Sequence, residues 1–281
     1  MNQRFGYTRK VALAIRELET FTQSAIALAL AAGAEILPYF RNNPITDNKQ
    51  GSGTYDPVTE ADRAAESLIR TRIAEEFPTH GVLGEEYGWR SGSGLTWVID
   101  PIDGTRAFVT GMLHWGVLIA LFDGEMPVLG VMHQPFTDEL FIGTNVKAEY
   151  RRGQSRKALR VRSCGSLADA VLGSTGPDFF AEGAERRSFE RLREQVRFTR
   201  FGGDCYLYCM VAMGQLDLVV EAGLKPYDIQ ALMPILRGAG GLVTTWDGGD
   251  ASMGGRMLVA GDARVHAEAR AVLERELERH S

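Results

Sequence analysis

The stretch TWVIDPIDGT, residues 96–105, constrains this chain more than any other. It opens as a strand in Trp97, Val98 and Ile99 and ends in two aspartates three residues apart, with a proline between them and Gly-Thr behind. Two carboxylates aimed at one spot repel each other unless a cation lies between them. Further acidic residues occupy similar strand-to-loop and loop-to-helix junctions, where a scaffold presents groups to a site: Glu85 and Glu86 in LGEEYG, and Asp228 in KPYDIQ. Oxygen donors with no histidine or cysteine beside them select Mg2+ over zinc. Pro101 pins a turn that lets the Ile102 carbonyl face the same way as the carboxylates. If a helix or turn starts at Gly104-Thr105, its N–H groups and the threonine hydroxyl offer an anion site next to the cations. Cations beside an anion cradle suggest a phosphate ester. Taken alone, the DPxD unit has a simpler account, two aspartates serving as turn and cap residues.

The scaffold around this stretch reads as layered α/β. At 281 residues and 44% hydrophobic content the chain has enough to bury a sizeable core, and two halves are expected. Apolar positions at Leu18, Phe21, Ala25, Ile26, Ala29, Ala32, Ile36 and Leu37 predict one long amphipathic helix ending at Pro38. A glycine-bearing polar loop over 42–57 follows, then a capping box of Thr59 and Asp62 opening a second helix that runs to Pro78. Short apolar runs from 96 to 142, with an Asp-Gly turn at 123 and 124, predict an antiparallel meander. The polar, basic run 147–163 marks a boundary near 155–165, dividing the chain into 1–158 and 159–281. After it strands and helices alternate: DAVLGST, a helix over 186–195, VRFTRFGG, a helix over 204–213, LDLVVEA, a helix over 229–238, and GLVTTW.

Composition excludes several classes. A net charge of -5 supplies no field for holding nucleic acid nonspecifically. No window approaches the ~18 consecutive apolar residues of a membrane span, and the start MNQRFGYTRK has no apolar region behind its charges, so a cytoplasmic protein without membrane partners is expected. Three cysteines without a C-x-x-C pair support neither a disulfide framework nor structural zinc, and Cys205 and Cys209, four apart, read as buried small residues. The five histidines lack metal-site spacing, although His114 lies close behind the aspartates. No C-x5-R or D-x-D-x-T motif signals a covalent phosphatase. Gly238, Gly240 and Gly241 close a helix and admit tight packing, and the charged C-terminal run reads as a solvated helix face.

LGEEYG, WVIDPIDGTRAFV and EAGLKPYDIQALMPILRGAGG together resemble the signature of the inositol monophosphatase family of Mg2+-dependent, lithium-sensitive phosphatases, over about residues 20–270. The upstream DPVTEAD, 56–62, fits the same pattern. The resemblance implies a fructose-1,6-bisphosphatase-like αβαβα sandwich, a homodimer, and two or three Mg2+ held by Glu85, Asp100, the Ile102 carbonyl, Asp103 and Asp228. Glu86, Asp56 and Asp62 would then be outer-shell or weak-metal residues. Thr105 would orient or deprotonate the attacking water, with Glu85 and Asp62 in the catalytic set. Hydrolysis of a phosphate monoester needs charge neutralisation more than a protein nucleophile, and two metals ~4 Å apart supply it.

In that family the alcohol is selected by the second half. The matching positions are Gly202, Gly203 and Asp204 in FGGDCY, and Glu221, seven before Asp228. Two carboxylates there favour a cationic alcohol over a neutral polyol, as in a small-molecule monoester such as L-histidinol phosphate. DGTRAF, with Arg106 in place of a small residue, and PYD in place of Trp-Asp, are close to the histidinol-phosphate phosphatase branch. Gly104, Thr105, Arg106, Asp204, Glu221 and Asp228 are the expected substrate contacts. The alternatives are an N-cap role for Asp204, a surface ion pair for Arg106, inositol or bisphosphate substrates, and a phosphate-binding module without activity.

Overall fold

Period-two alternation through the central strands decides the architecture, because it sends successive side chains into two different apolar layers. The structure, a computed structural model, describes residues 13–42, 46–48 and 57–278. In chain order the elements of the first part are α1 (Ile15–Ile36), β1 (Thr46–Asn48), β2 (Pro57–Thr59), α2 (Glu60–Glu76), β3 (Gly81–Gly84), β4 (Gly88–Arg90), β5 (Thr96–Asp103), α3 (Thr105–Val109), β6 (Gly116–Phe122), β7 (Pro127–Gln134), β8 (Glu139–Gly143), β9 (Ala148–Arg152) and β10 (Ser155–Ala158). The second part continues with β11 (Val171–Ser174), α4 (Ala184–Arg193), β12 (Phe198–Phe201), α5 (Cys205–Ala212), β13 (Leu218–Leu224), α6 (Pro226–Ile229), α7 (Leu232–Gly238), β14 (Leu242–Thr245), β15 (Gly255–Ala260) and α8 (Ala263–Glu278).

Two sheets result. The first, ordered β10-β9-β8-β7-β6-β5-β3-β4, is antiparallel except where β3 runs parallel to β5. The second, ordered β12-β11-β13-β15-β14, keeps β11 parallel to both neighbours while β15 runs antiparallel to β13 and β14. Trp97, Ile99, Val117, Ile119 and Leu121 face an outer layer with α1 and α2, whereas Val98, Leu118, Ala120 and Phe122 face a middle layer with α5 and α7. From the other side Val219, Met257 and Val259 meet that middle layer, and Leu218, Val220, Leu258 and Ala260 meet α4 and α8. The order is helix, sheet, helix, sheet, helix, as the resemblance implied. α7 lies directly on the first sheet because Gly130 of β7 and Gly143 of β8 have no side chain there; a Cβ at Gly130 would overlap the Ala231 carbonyl.

The structure departs from the sequence reading in places. The basic run 147–163 is not plain linker: up to Ala158 it holds the β9–β10 hairpin, an edge whose Glu149, Arg151, Arg152 and Arg156 are the charged residues that edge strands favour. Within the polar loop 42–57, the described residues form the short β1–β2 ladder. The helix expected over 229–238 is two, α6 and α7. The segment Ile15–Tyr39 is by length and composition long and apolar enough to cross a membrane, although polar residues interrupt its apolar run. Here it is a covering helix: Ala25, Leu28, Ala29, Ala32 and Ile36 are buried against α2, β6 and β7.

Candidate active site

The puzzle of two aspartates three apart is resolved by a bulge. Along a regular strand Asp100 and Asp103 would point to opposite faces. Asp100 pairs with Leu118 and Asp103 with Gly116, so three steps on β5 match two on β6, and the extra residue falls at Pro101-Ile102. A bulge is also where a proline is tolerated inside a sheet. The Ile102 N–H donates to Asp100 Oδ1 at 3.1 Å, and the Thr105 hydroxyl donates to the Ile102 carbonyl at 3.0 Å. Gly104 caps α3 at φ 83°, and a Cβ there would lie 2.5 Å from the His114 carbonyl. The His114 backbone carbonyl thus packs closely against this turn.

The bulge opens into a cavity of about 440 Å³ between the two sheets. Glu85 reaches it from the turn after β3, Asp228 from α6, Asp204 from the start of α5, and Glu221 from β13. Asp100, Asp103 and Asp228 each place a carboxylate oxygen within 4.8 Å of the others. Backbone N–H groups fix two of them: Cys205 donates to Asp103 Oδ2 at 2.7 Å and Lys225 to Asp228 Oδ2 at 2.6 Å. Burial pushes all three carboxyls up, followed by repulsion from Glu85, Asp103 and Asp228 at Asp100, and from Asp204 and Asp228 at Asp103. Asp228 is pushed up to about 7 by burial, then by Glu85 and Glu221, against the Lys225 N–H bond that lowers it. A cluster of crowded oxygen donors, Asp100 buried and Asp103 and Asp228 half-buried, fits a hard divalent cation.

Asp62 stands outside the cavity lining. Its Oδ2 accepts from the Thr59 N–H at 2.8 Å and the Thr59 hydroxyl at 2.5 Å, which is the expected capping box. Its Oδ1 is buried with no hydrogen-bond partner among the described residues. Burial pushes its carboxyl up to about 7, with Glu86 and Glu85 adding to the rise. β2, which ends at Thr59, packs against α3, so Asp62 is tied to the element that begins with Thr105. Glu86 is partly buried in the same turn as Glu85 and outside the lining; Asp56 lies outside the described residues.

The second acidic group joins the first. Asp204 occupies the N-cap position of α5 but makes no side-chain cap, and its backbone sits at φ 45°, ψ -135°, a conformation costly for a residue with a Cβ. Burial, then Glu221, push its carboxyl up to about 7 against an opposing pull from Arg106. Glu221 is 6% exposed, and its two oxygens accept from the Thr175 N–H and the Tyr208 hydroxyl, each at 2.7 Å. Burial raises its pKa and those two bonds lower it. Arg106 lines the cavity with its guanidinium 4.8 Å from the Phe179 ring centre.

Sequence reasoning missed Thr175, Phe179, Tyr208 and Lys225, all of which line the cavity. Tyr208 follows Asp204 by four positions, the spacing of one helix face, which could have found it. The cysteines are free and buried as expected, with the Cys205 N–H spent on Asp103.

The family model described as the inositol monophosphatase family matches residues 17–279. A protein named bifunctional phosphatase IMPL2, chloroplastic, from Arabidopsis thaliana is 40% identical over 92% of this chain and 76% of its own length. A histidinol-phosphatase of Chlorobaculum parvum is 34% identical over 85% of this chain and 90% of its own. Among solved structures, an inositol monophosphatase from Zymomonas mobilis superposes with a TM-score of 0.81 at 37% identity, covering 91% of this chain and 98% of that one. The strand bulge with its carboxylates and the matched length of chain lead to one assignment: this protein belongs to the inositol monophosphatase family, whose members it resembles as a phosphatase.

Proposed function

We propose that this chain is a Mg2+-dependent phosphomonoesterase that hydrolyses L-histidinol phosphate to L-histidinol and phosphate, a step of histidine biosynthesis. The observation that carries the substrate is the pair Asp204 and Glu221, a half-buried and a buried carboxylate adjoining the aspartate trio, the first held by strained backbone. Buried negative charge is retained where it recognises positive charge, and this alcohol brings an ammonium and an imidazole.

Glu85, Asp100, Asp103, Asp228 and the Ile102 carbonyl would hold two or three Mg2+. Bound there, the cations would supply a water of lowered pKa and neutralise charge on the phosphoryl group and the departing oxygen. Thr105, at the start of α3, would orient that water. Asp62, outside the cavity lining but with its carboxyl near 7 and an orphaned oxygen, would act on that water through Thr105 rather than by direct contact. The phosphate would lie over Gly104 and Thr105, with Arg106, Asp204 and Glu221 around the alcohol and Asp228 between the two. In this division residues 1–158 carry most of the metal ligands and 159–281 select the substrate; family membership supports the homodimer.

A second reading is inositol monophosphate. The two hydrogen bonds that fix Glu221 favour it, since a pre-oriented carboxylate also accepts hydroxyl groups of a neutral polyol. The test is phosphate release from L-histidinol phosphate, myo-inositol 1-phosphate and glycerol 2-phosphate, in Mg2+ and in EDTA. The expected result is Mg2+-dependent turnover with kcat/KM highest on histidinol phosphate. Equal release in EDTA overturns the metal reading, and a preference for inositol phosphate overturns the substrate.

A further inference from the structure

We infer that Glu66, on α2 and outside the cavity, is a positioning residue that sets the direction of Glu85; the inference rests on the reading of Glu85 as a cation ligand. Asp62, Glu66 and Arg70 recur every four residues, so they share one face of α2, and that face meets the turn between β3 and β4. The turn consists of Glu85, Glu86 and Tyr87, because Gly84 pairs with Gly88. The Glu66 side chain is fully buried. Its Oε2 accepts from the Glu86 N–H at 2.7 Å, and its Oε1 accepts from the Tyr87 N–H at 3.1 Å. Arg70 Nε donates to the same Oε1 at 2.7 Å, while Arg70 Nη2 donates to the Gly88 carbonyl on the far side of the turn. The guanidinium also lies 5.9 Å from the Tyr87 ring centre. A Cβ at Gly84 would overlap Glu66 Oε1, so the residue before Glu85 is one that leaves the carboxylate its place.

A three-residue turn carrying a cation ligand is free to tilt unless its backbone is held. Here two consecutive N–H groups, those following Glu85, bond to one buried carboxylate, and the carboxylate is itself oriented by an arginine that grips the end of the turn. Anchoring the two residues after Glu85, with Gly84 before it held in β3, leaves its side chain little choice of direction. Partners standing behind a ligand in this manner tune affinity by ~10–100-fold when removed. A purely structural role would lower the melting temperature and leave metal affinity unchanged once the protein is folded.

The test is direct Mn2+ binding by electron paramagnetic resonance on the full chain, with Mg2+-titrated turnover and a melting curve beside it, for the wild type, Glu66→Gln and Arg70→Lys. Glu66→Gln keeps the shape but turns one acceptor into a donor facing N–H groups. Arg70→Lys keeps the charge and loses the fork to Gly88. The expected result is Mn2+ binding weakened by ~10–100-fold in Glu66→Gln and by ~3–10-fold in Arg70→Lys, with turnover recovering towards wild type at saturating Mg2+. Binding within twofold of wild type in a folded Glu66→Gln overturns the inference. If that variant does not fold, Arg70→Lys decides in the same way. A wild type that binds no Mn2+ overturns the metal reading and this inference with it, whereas wild-type binding beside unaltered variants overturns this inference alone.

Discussion

Removing one charge from the aspartate trio should stabilise the metal-free protein while destroying its response to metal. Asp228→Asn is the cleanest perturbation, because an asparagine oxygen still accepts the Lys225 N–H that holds the residue at 2.6 Å. In the folded chain the Asp228 carboxyl is pushed from its ordinary 3.8 to about 7, chiefly by burial and then by Glu85 and Glu221. Three pKa units at ~1.36 kcal/mol each set a ceiling of about 4 kcal/mol on the cost of ionising it. Its neighbours share the same protons and its side chain is partly exposed, so the expected gain on neutralisation is about 1–3 kcal/mol. For a chain of this size that is a rise in Tm of roughly 2–6 °C. The sign follows from linkage. A carboxyl raised on folding stabilises the fold fully below its unfolded pKa and loses that contribution as pH rises through the folded value. The wild-type penalty is therefore small at pH 4, grows to about pH 7 and then levels off. Mg2+ at ~100 times Kd should return about 2.7 kcal/mol to the wild type and much less to the variant. The assay is thermal unfolding from pH 4.5 to 8, in EDTA and in Mg2+. Asp228→Asn should melt higher in EDTA at pH 8 and lower in Mg2+. A variant no more stable than wild type in EDTA at pH 8, or a difference independent of pH, would refute the claim that these carboxylates crowd one another.

Asp103→Asn should lower kcat by at least ~10²–10³-fold with the fold retained, since the Cys205 N–H keeps its acceptor; residual activity within tenfold of wild type would sink the assignment. Glu221→Gln should cost amine-bearing substrates ~10–100-fold more in kcat/KM than glycerol 2-phosphate, and a uniform loss across both would count against charge recognition. Gly130→Ala should destabilise by about 3 kcal/mol through its clash with Ala231, read as a lower urea midpoint; a loss under ~0.5 kcal/mol would mean that α7 does not rest on the sheet there.

The acidic residues were legible because their chemistry leaves few roles for five oxygen donors at element ends. The reason Asp100 and Asp103 converge was not legible, since strand periodicity sends them apart and only the bulge at Pro101-Ile102 realigns them. The capping box at Thr59 and Asp62 was readable as a local pattern, whereas Glu66 was not, because its partners are backbone N–H groups twenty positions away. β9 and β10 escaped because edge strands carry the charges of a linker. β15 escaped because its two exposed leading residues, Gly255 and Arg256, hide a four-residue apolar run. Hydrophobic pattern locates faces; contacts between backbone and distant side chains leave no trace in it.

The proposed cation and alcohol subsites are joined through one peptide. The Cys205 N–H bonds to Asp103, while the residue before it, Asp204, faces Glu221 from a strained backbone position. If Asp204 selects the substrate as proposed, that selection is mechanically linked to a residue of the aspartate trio, and a change that relaxes the 202–205 turn should be felt on both sides. Asp228 provides a second link, since it lies in the trio and is raised by Glu221. Changing the substrate on this scaffold therefore demands more than a new side chain facing the alcohol. The replacement must keep the α5 N–H on Asp103, which confines variation to residues able to tolerate φ 45° or to turns that deliver the same amide by another route.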